Sequence, residues 1–344
     1  MIPAEEVRTV AIVGAGSIGA SWAALALARG LTVIATDPAP GARESLSDTV
    51  NALLADLGAD DTVEGAGGVA DSPGAGGSPL GAPTRARLHS GAEVSHWRER
   101  LSFTPELAEA AAAADLVLEN GPERLEVKRE IFAELDAAAG PEVLLASSSS
   151  GLAPSGFQQV CRYPERVLVA HPFNPPHLVP LVEVVGGEKT SAEAIAAAMA
   201  VLRYWGKEPV HIRRELPGHV ANRLQAALWR EAYYLVEQGV VSVADIDTAI
   251  AAGPGLRWAL LGPFATQHLS GGPGGLGHVL EHLGPPMVDW WADMGSPELT
   301  PGLIERLVTG VAEELGETAA DELLERRDHA LRDLLSLKNR HGLG

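Results

Sequence analysis

The sequence predicts an α/β fold followed by an all-helical domain. Apolar, strand-like runs alternate with helical stretches from the N-terminus up to Ile212, a pattern typical of a parallel sheet covered by helices. Beyond Ile212 only helical patterns remain. We therefore place a domain change near Arg213–Glu215. The α/β domain is expected to span residues 1–213 and the helical domain residues 214–344.

A glycine-rich turn, residues 14–19, joins the first predicted strand, Val7–Val13, to the first predicted helix. Its sequence is GAGSIG, and the strand–helix–strand unit around it ends with Thr32–Thr36. In this context the GxGxxG pattern indicates a Rossmann-type dinucleotide site, because glycines let the backbone turn tightly and approach a pyrophosphate at the helix N-terminus. A glycine turn without a ligand is the alternative. The residues expected to bind the cofactor are Gly14, Gly16, Ser17, Ile18 and Gly19.

An acid at the end of the second strand, Asp37, indicates which cofactor binds. A carboxylate there accepts hydrogen bonds from the adenosine ribose hydroxyls and repels a 2′-phosphate. The following residues, 38–40, contain no arginine that would hold such a phosphate. We therefore expect NAD rather than NADP.

Further helices and strands continue this alternation. Residues 58–91 differ, because they are rich in Gly, Ala, Ser and Pro and poor in large apolar residues. We interpret them as a flexible insertion in the NAD-binding domain, serving either as a passive surface loop or as a lid. The other predicted elements are Gly41–Leu57, Leu116–Glu119, a helix that ends near Ala139, Val143–Ala146, Ser191–Trp205, Pro217–Gly239, Ser242–Ala251, Pro301–Leu315 and Ala319–Leu337.

We expect the catalytic residues within the stretch 171–183, which reads HPFNPPHLVPLVE. His171 ends an apolar run and Glu183 interrupts the next one. Because an ionised carboxylate inside an apolar run is costly unless it is paired, we pair Glu183 with His171. A histidine polarised by a buried carboxylate is a general base near neutral pH. The alternative is a strand-end histidine and an edge glutamate that faces water.

Other polar residues are weaker candidates. The serine run 147–150 follows a strand, at the sheet edge where α/β proteins bind ligands, although linker serines are the alternative for most of them. His278 and His282 have the spacing of a shared helix face, but no third ligand is evident, so we expect no metal site. Cys161 has no basic partner nearby in sequence and is expected to be structural.

Composition limits the partners. The net charge of −19 argues against nucleic acid and anionic membranes, which need a basic face. A single cysteine excludes an intrachain disulfide and fits a cytoplasmic location. No apolar run approaches the roughly 20 residues of a membrane span. The helical domain has more leucine and aromatic positions than a small domain can bury, so we expect a homodimer.

Six motifs in this order resemble the 3-hydroxyacyl-CoA dehydrogenase family over nearly the whole chain. The HPFNPP form at 171–176, together with residues 255–259 (GLRWA) and 262–264 (GPF), is similar to the branch that contains L-gulonate 3-dehydrogenase, also called λ-crystallin, and L-carnitine 3-dehydrogenase. The six motifs are GAGSIG at 14–19, Asp37, Glu123 with Lys128, SSSSG at 147–151, HPFN…PLVEV at 171–184 and GHVANR at 218–223.

The resemblance implies NAD-dependent oxidation of a 3-hydroxyl to a 3-keto group. His171 would take the hydroxyl proton, Glu183 would orient His171, and Ser150 and Asn222 would hydrogen-bond the substrate oxygen. The cofactor would also contact Glu123, Lys128 and Ser148, and the substrate would contact Ser150, Asn174, Asn222 and Arg257.

The substrate class stays open at this point. An arginine at 257 would bind a carboxylate, which favours a free 3-hydroxy acid of the L-gulonate or L-carnitine type. The aromatic residues Trp258, Phe264, Trp290 and Trp291 could face a quaternary ammonium group, as in carnitine. A 3-hydroxyacyl-CoA, such as 3-hydroxybutyryl-CoA, is the alternative substrate. A non-catalytic, crystallin-like NAD-binding protein is the alternative of another class.

Overall fold

The computed structural model describes residues 1–58 and 96–343. The chain forms two compact units, Met1–Val220 and Ala221–Gly344. The division lies a few residues beyond the predicted change at 213–215, because the segment after the last strand packs with the sheet unit. The predicted insertion, residues 58–91, lies outside the described residues except for Gly58.

The first unit is built on an eight-stranded sheet with the order β3-β2-β1-β4-β5-β6-β7-β8. All neighbouring strands are parallel except β6 and β7, which are antiparallel. The short strand β3 was not predicted, since its three residues are too few to show a period. The strands are β1 (Thr9–Val13), β2 (Thr32–Thr36), β3 (Leu101–Phe103), β4 (Leu116–Glu119), β5 (Leu144–Ser147), β6 (Val167–Pro172), β7 (Leu181–Gly186) and β8 (Glu208–Ile212).

Helices cover both faces of this sheet. Ser191 caps the last of these helices: its hydroxyl accepts a hydrogen bond of 3.0 Å from the Ala194 amide, which satisfies one orphan donor at the helix start. The helices of the first unit are α1 (Ser17–Ala28), α2 (Ala42–Gly58), α3 (Trp97–Arg100), α4 (Leu107–Ala112), α5 (Leu125–Ala138), α6 (Ser155–Gln158) and α7 (Ala192–Tyr204).

Two apolar cores, one on each face, hold the strand ends in place. On the face covered by α1, α2 and α7, Trp22 and Trp205 meet edge to face with ring centroids 6.4 Å apart. On the opposite face, Phe132 and Phe157 pack with centroids 4.6 Å apart. All four side chains are almost fully buried, and losing such a ring costs about 3–5 kcal/mol. The strand edge that carries the functional residues is therefore rigidly supported.

The second unit is helical, as predicted, but it contains three helices that the sequence pattern did not reveal: α10, α11 and α12. Proline and glycine mask them, because Pro254 and Pro263 stand at helix starts, where proline is tolerated, and Pro285 and Pro286 lie inside α12. The helices are α8 (Ala221–Glu237), α9 (Val243–Ala251), α10 (Pro254–Leu260), α11 (Pro263–Ser270), α12 (Gly275–Asp293), α13 (Pro301–Leu315) and α14 (Ala320–Arg340).

Within the part of the chain that the structure describes, no helix has both the length and the apolar character that crossing a membrane requires.

Candidate functional site

Strand register places His171 directly opposite Glu183 in the antiparallel pair β6–β7. The His171 Nδ1 and Glu183 Oε2 atoms are 2.9 Å apart, and the residues are only 5% and 1% exposed. The other carboxylate oxygen, Oε1, accepts a 2.9 Å hydrogen bond from the Val220 amide. The predicted pairing of these two side chains is therefore present, and the alternative of a water-facing glutamate is wrong.

This contact bears on which ring nitrogen of the His171 imidazole carries a proton. An ionised Glu183 carboxylate only accepts hydrogen bonds, so this contact favours the tautomer with the proton on Nδ1 of His171. In the neutral ring the lone pair then lies on Nε2, which is the atom able to take a proton. A positive ring formed by that transfer would face the Glu183 carboxylate across a buried 2.9 Å contact.

A buried lysine supports the loop between β6 and β7. The Lys207 ammonium donates to the Pro176 carbonyl and, at 2.9 Å, to the Val179 carbonyl. Burial, aided by the charge of Arg29, lowers the pKa of Lys207 to about 7. Asn174, a predicted substrate residue, is exposed in the same loop.

The serine run is structured at the end of β5, so it is not a linker. Ser148 accepts a 3.1 Å hydrogen bond from Trp22 Nε1 and donates at 2.8 Å to Asn120 Oδ1. Ser149 is buried and donates at 2.6 Å to Glu123. Ser150, the proposed substrate contact, is exposed at the end of the run.

Glu123 organises the turn that follows the serines. Its Oε1 atom accepts hydrogen bonds from the Gly151 amide at 2.8 Å and the Leu152 amide at 3.2 Å, besides that from Ser149. Partial burial raises the pKa of Glu123, but these hydrogen bonds and the charge of Lys128 outweigh it and hold the pKa below its usual range. Glu123 is therefore an anion beside the serine loop.

Lys128 lies in a buried ion pair that the sequence analysis missed. Its ammonium donates to both carboxylate oxygens of Glu119, at 3.0 and 2.9 Å, and lies 3.8 Å from Glu123. Glu119 also accepts from the Ser147 hydroxyl at 2.5 Å. The signal was available: Glu119 is an acid at the end of an apolar strand, the same position that singled out Asp37.

The glycine-rich turn has the geometry of a dinucleotide cradle. Gly14 has a φ of +90°, and a Cβ there would lie 2.7 Å from the Asn120 carbonyl oxygen. A Cβ on Gly19 would lie 1.9 Å from the Gly14 oxygen, whereas one on Gly16 would meet nothing within 4 Å. Two glycines thus allow close packing, and Gly16 leaves open space beside the start of α1, where Ser17 and Ile18 are the first helical residues.

Asp37 braces this turn. Its Oδ2 atom accepts a 2.7 Å hydrogen bond from the Ala15 amide, and Oδ1 accepts one of 2.8 Å from Ala39. Each carboxylate oxygen has a further lone pair, so ribose hydroxyls can still bind there. The turn, its helix start and Asp37 therefore fit NAD.

The remaining predicted residues belong to the second unit. Asn222 is half-buried in the first turn of α8. Arg257 is exposed in the short helix α10. The rings of His278 and His282 are 4.0 Å apart. No group of three His, Cys, Asp or Glu residues that could hold a metal occurs among residues 1–58 and 96–343.

Cys161 is half-buried in the first unit. Burial and the charge of Asp136 raise the pKa of its thiol to about 12, so it stays protonated and unreactive near neutral pH.

Comparison with known proteins agrees with this geometry. Residues 9–216 match the 3-hydroxyacyl-CoA dehydrogenase NAD binding domain, and residues 218–301 match the C-terminal domain of the same family. L-carnitine dehydrogenase of Pseudomonas aeruginosa is 43% identical over 341 residues, which covers 98% of this chain and 97% of that protein. The Streptomyces coelicolor protein of the same name is 42% identical over 342 residues, covering 99% and 98%.

Comparison with solved structures agrees with these sequence matches. The 5-formyl-3-hydroxy-2-methylpyridine 4-carboxylic acid 5-dehydrogenase, an NAD+-dependent dismutase, has a TM-score of 0.74 at 28% identity and covers 98% of both chains. The 3-hydroxybutyryl-CoA dehydrogenase from Escherichia coli has a TM-score of 0.59 at 28% identity and covers 77% of this chain and 50% of that one. The chain therefore belongs to the 3-hydroxyacyl-CoA dehydrogenase family and is an NAD-dependent oxidoreductase.

Proposed function

We propose that this dehydrogenase oxidises the 3-hydroxyl of a small free 3-hydroxy acid, with L-carnitine as the favoured substrate. The observation that carries the reaction is the buried contact between His171 and Glu183. His171 Nε2 takes the hydroxyl proton, and Glu183 stabilises the resulting imidazolium. NAD, held by the turn at 14–19 and Asp37, would supply the acceptor for the hydride that leaves C3.

The remaining roles are those that the family resemblance implies. Ser150 and Asn222 hydrogen-bond the substrate oxygen, and Asn174 lines the substrate side. The cofactor is held by the turn at 14–19, Asp37, Ser148, Glu123 and Lys128. The sheet domain, residues 1–213 in the sequence-based division, binds NAD, and the helical domain, 214–344, contributes substrate residues and the dimer contact.

The choice of a free acid rests on the relatives and on Arg257. The two relatives compared above are both named L-carnitine dehydrogenase and match over nearly the full length. A planar guanidinium at 257 can hold a carboxylate with two parallel hydrogen bonds. Exposed tryptophans at 258, 290 and 291, together with Phe264, are suited to a quaternary ammonium group. L-gulonate shares the carboxylate but lacks the ammonium.

The experiment measures NADH formation with L-carnitine, L-gulonate and 3-hydroxybutyryl-CoA, using the wild type and His171→Ala. We expect turnover with L-carnitine and a loss of about 10²–10⁴-fold in His171→Ala. NAD affinity, measured by fluorescence titration, should stay unchanged. The control is His211→Ala, an exposed histidine in β8.

Three other results of this experiment would each lead to a different conclusion. A rate in His171→Ala within a few-fold of the wild type would contradict the general-base role. Turnover with the CoA thioester alone would identify the alternative substrate class. NAD binding without turnover of any of the three substrates would favour the alternative of a non-catalytic NAD-binding protein. The buried His171–Glu183 pair argues against that alternative.

We also infer that the protein is a homodimer in the cytoplasm. Among the described residues, every exposed large hydrophobic side chain except Val160, Val210 and Val220 lies in the second unit. A groove there is lined by apolar residues of α8 and α13, including Trp229 and Val308. A surface of this kind needs a partner, and a second copy is the commonest solution. The single unreactive thiol suits a reducing compartment.

A further inference from the structure

His219 has a strained backbone at a buried position. It lies between β8 and α8, is only 1% exposed, and has a φ of +51°. No other non-glycine residue in the described ranges has a positive φ. Left-handed geometry is unfavourable for a histidine, so it persists only where surrounding contacts hold it.

Three contacts link His219 and its neighbour to the catalytic region. The Nε2 atom of His219 lies 3.2 Å from the Ser149 carbonyl oxygen. Its ring packs against the His171 ring, with centroids 5.3 Å apart and planes inclined at 48°. The next amide, that of Val220, donates to Glu183. The left-handed turn thus directs the side chain to one part of the site and the following amide to another.

We propose that His219 is a neutral positioning residue that ties the serine loop to the His171–Glu183 pair. This inference rests on the proposed function of that pair. Because a carbonyl only accepts hydrogen bonds, Nε2 of His219 donates to Ser149 and so holds the loop that presents Ser150. The ring also forms one wall of the space in which the His171 imidazole is held.

The charge state of His219 matters because its ring touches His171. Burial lowers the pKa of His219; the Ser149 carbonyl raises it, His171 lowers it further, and Glu183 and Glu123 raise it, with a net lowering. His219 is therefore neutral at neutral pH. If it were protonated, a second cation would lie beside the His171 imidazolium that the reaction forms.

The test compares His219→Gln with His219→Phe. Gln can place an N–H donor near the position of Nε2, whereas Phe keeps the ring but cannot donate. We expect His219→Phe to lower kcat by about 10- to 100-fold, since small displacements of catalytic groups cost rates of this order. His219→Gln should stay within a few-fold of the wild type, and NAD affinity should be unchanged in both. The matched control is His211→Gln.

A pH profile gives a second readout. The acid limb of kcat/KM should be less steep in His219→Gln than in the wild type, because protonation of His219 would place a second cation beside the His171 ring, whereas a glutamine cannot be protonated. The profile of His219→Gln decides the matter if the Phe variant does not fold.

Wild-type kcat in His219→Phe, or an unchanged acid limb in His219→Gln, would overturn the positioning role. The proposed function would survive that result provided that His171→Ala remains inactive. Wild-type rates in His171→Ala would instead remove the proposed function itself.

Discussion

His171 and Glu183 owe their contact to strand register, so the backbone ladder of β6 and β7 sets the distance between the two side chains. This is why the pair could be predicted from sequence: a lone acid inside an apolar run needs a partner, and few candidates lie nearby. His219 could not be predicted. Its signal is a positive φ and a contact across the fold, and neither leaves a trace in residue type or spacing.

Asp37 gives a prediction at the residue scale. The wild type should prefer NAD over NADP by on the order of 100-fold or more in kcat/KM, since like charges in contact cost several kcal/mol. Asp37→Ala should reduce the difference in kcat/KM between the two cofactors, by raising the value for NADP and lowering the value for NAD. It removes repulsion of the 2′-phosphate, and it deprives the Ala15 and Ala39 amides of their acceptor.

Steady-state kinetics with both cofactors tests this prediction, with Asp48→Ala, an exposed acid in α2, as the control. Equal kcat/KM for the two cofactors in the wild type would show that Asp37 does not set the preference.

At the scale of elements, α5 is attached to the carboxyl end of β4 by the buried pair of Lys128 and Glu119, which are 1% and 0% exposed. Lys128→Met should destabilise the fold by about 3–5 kcal/mol, because it leaves a buried carboxylate without its counter-charge. The double variant Glu119→Gln/Lys128→Met should recover much of that loss.

Urea unfolding measures these stabilities. Arg326→Met is the matched control, because its ion pair with Glu322 is exposed and should contribute little. If Lys128→Met and Arg326→Met lost the same stability, the pair would not fasten α5 to the sheet.

The loop between β6 and β7 gives a pH-dependent prediction through Lys207. The pKa of this lysine is about 7 in the folded protein, whereas its ordinary value, which applies to the unfolded chain, is 10.5. Between these values the unfolded chain binds more protons than the folded one, so stability rises with pH from about 7 to about 10, by at most about 1.4 kcal/mol per pH unit. Below pH 7 this contribution does not change.

Lys207→Met should remove that slope. Urea unfolding of both proteins at several pH values measures it, with the exposed Lys189→Met as the control. Parallel pH dependence in the wild type and Lys207→Met would mean that the buried amine keeps its proton throughout this range.

Over the whole molecule, the sheet domain was far more predictable than the helical one. Its strands are continuous apolar runs bounded by turns, so β2 and β4 were located to the residue. In the second unit, prolines at helix starts and glycines within helices concealed α10 to α12. In these three helices many apolar residues stay exposed in the single chain, so their positions do not mark one buried helix face.

That exposed surface carries the last prediction. In α13 the side chain of Val308 is 64% exposed and lines the apolar groove with Trp229. If a second copy covers this groove, Val308→Asp buries an unpaired charge at the contact and should shift the protein from dimer to monomer in sedimentation. Its melting temperature should also fall, because dimerisation stabilises the folded state by mass action. Val160→Asp, at an exposed valine of the first unit, should change neither. A wild type that sediments as a monomer at micromolar concentration, or a Val308→Asp variant that remains a dimer, would exclude this groove as the contact between the two copies.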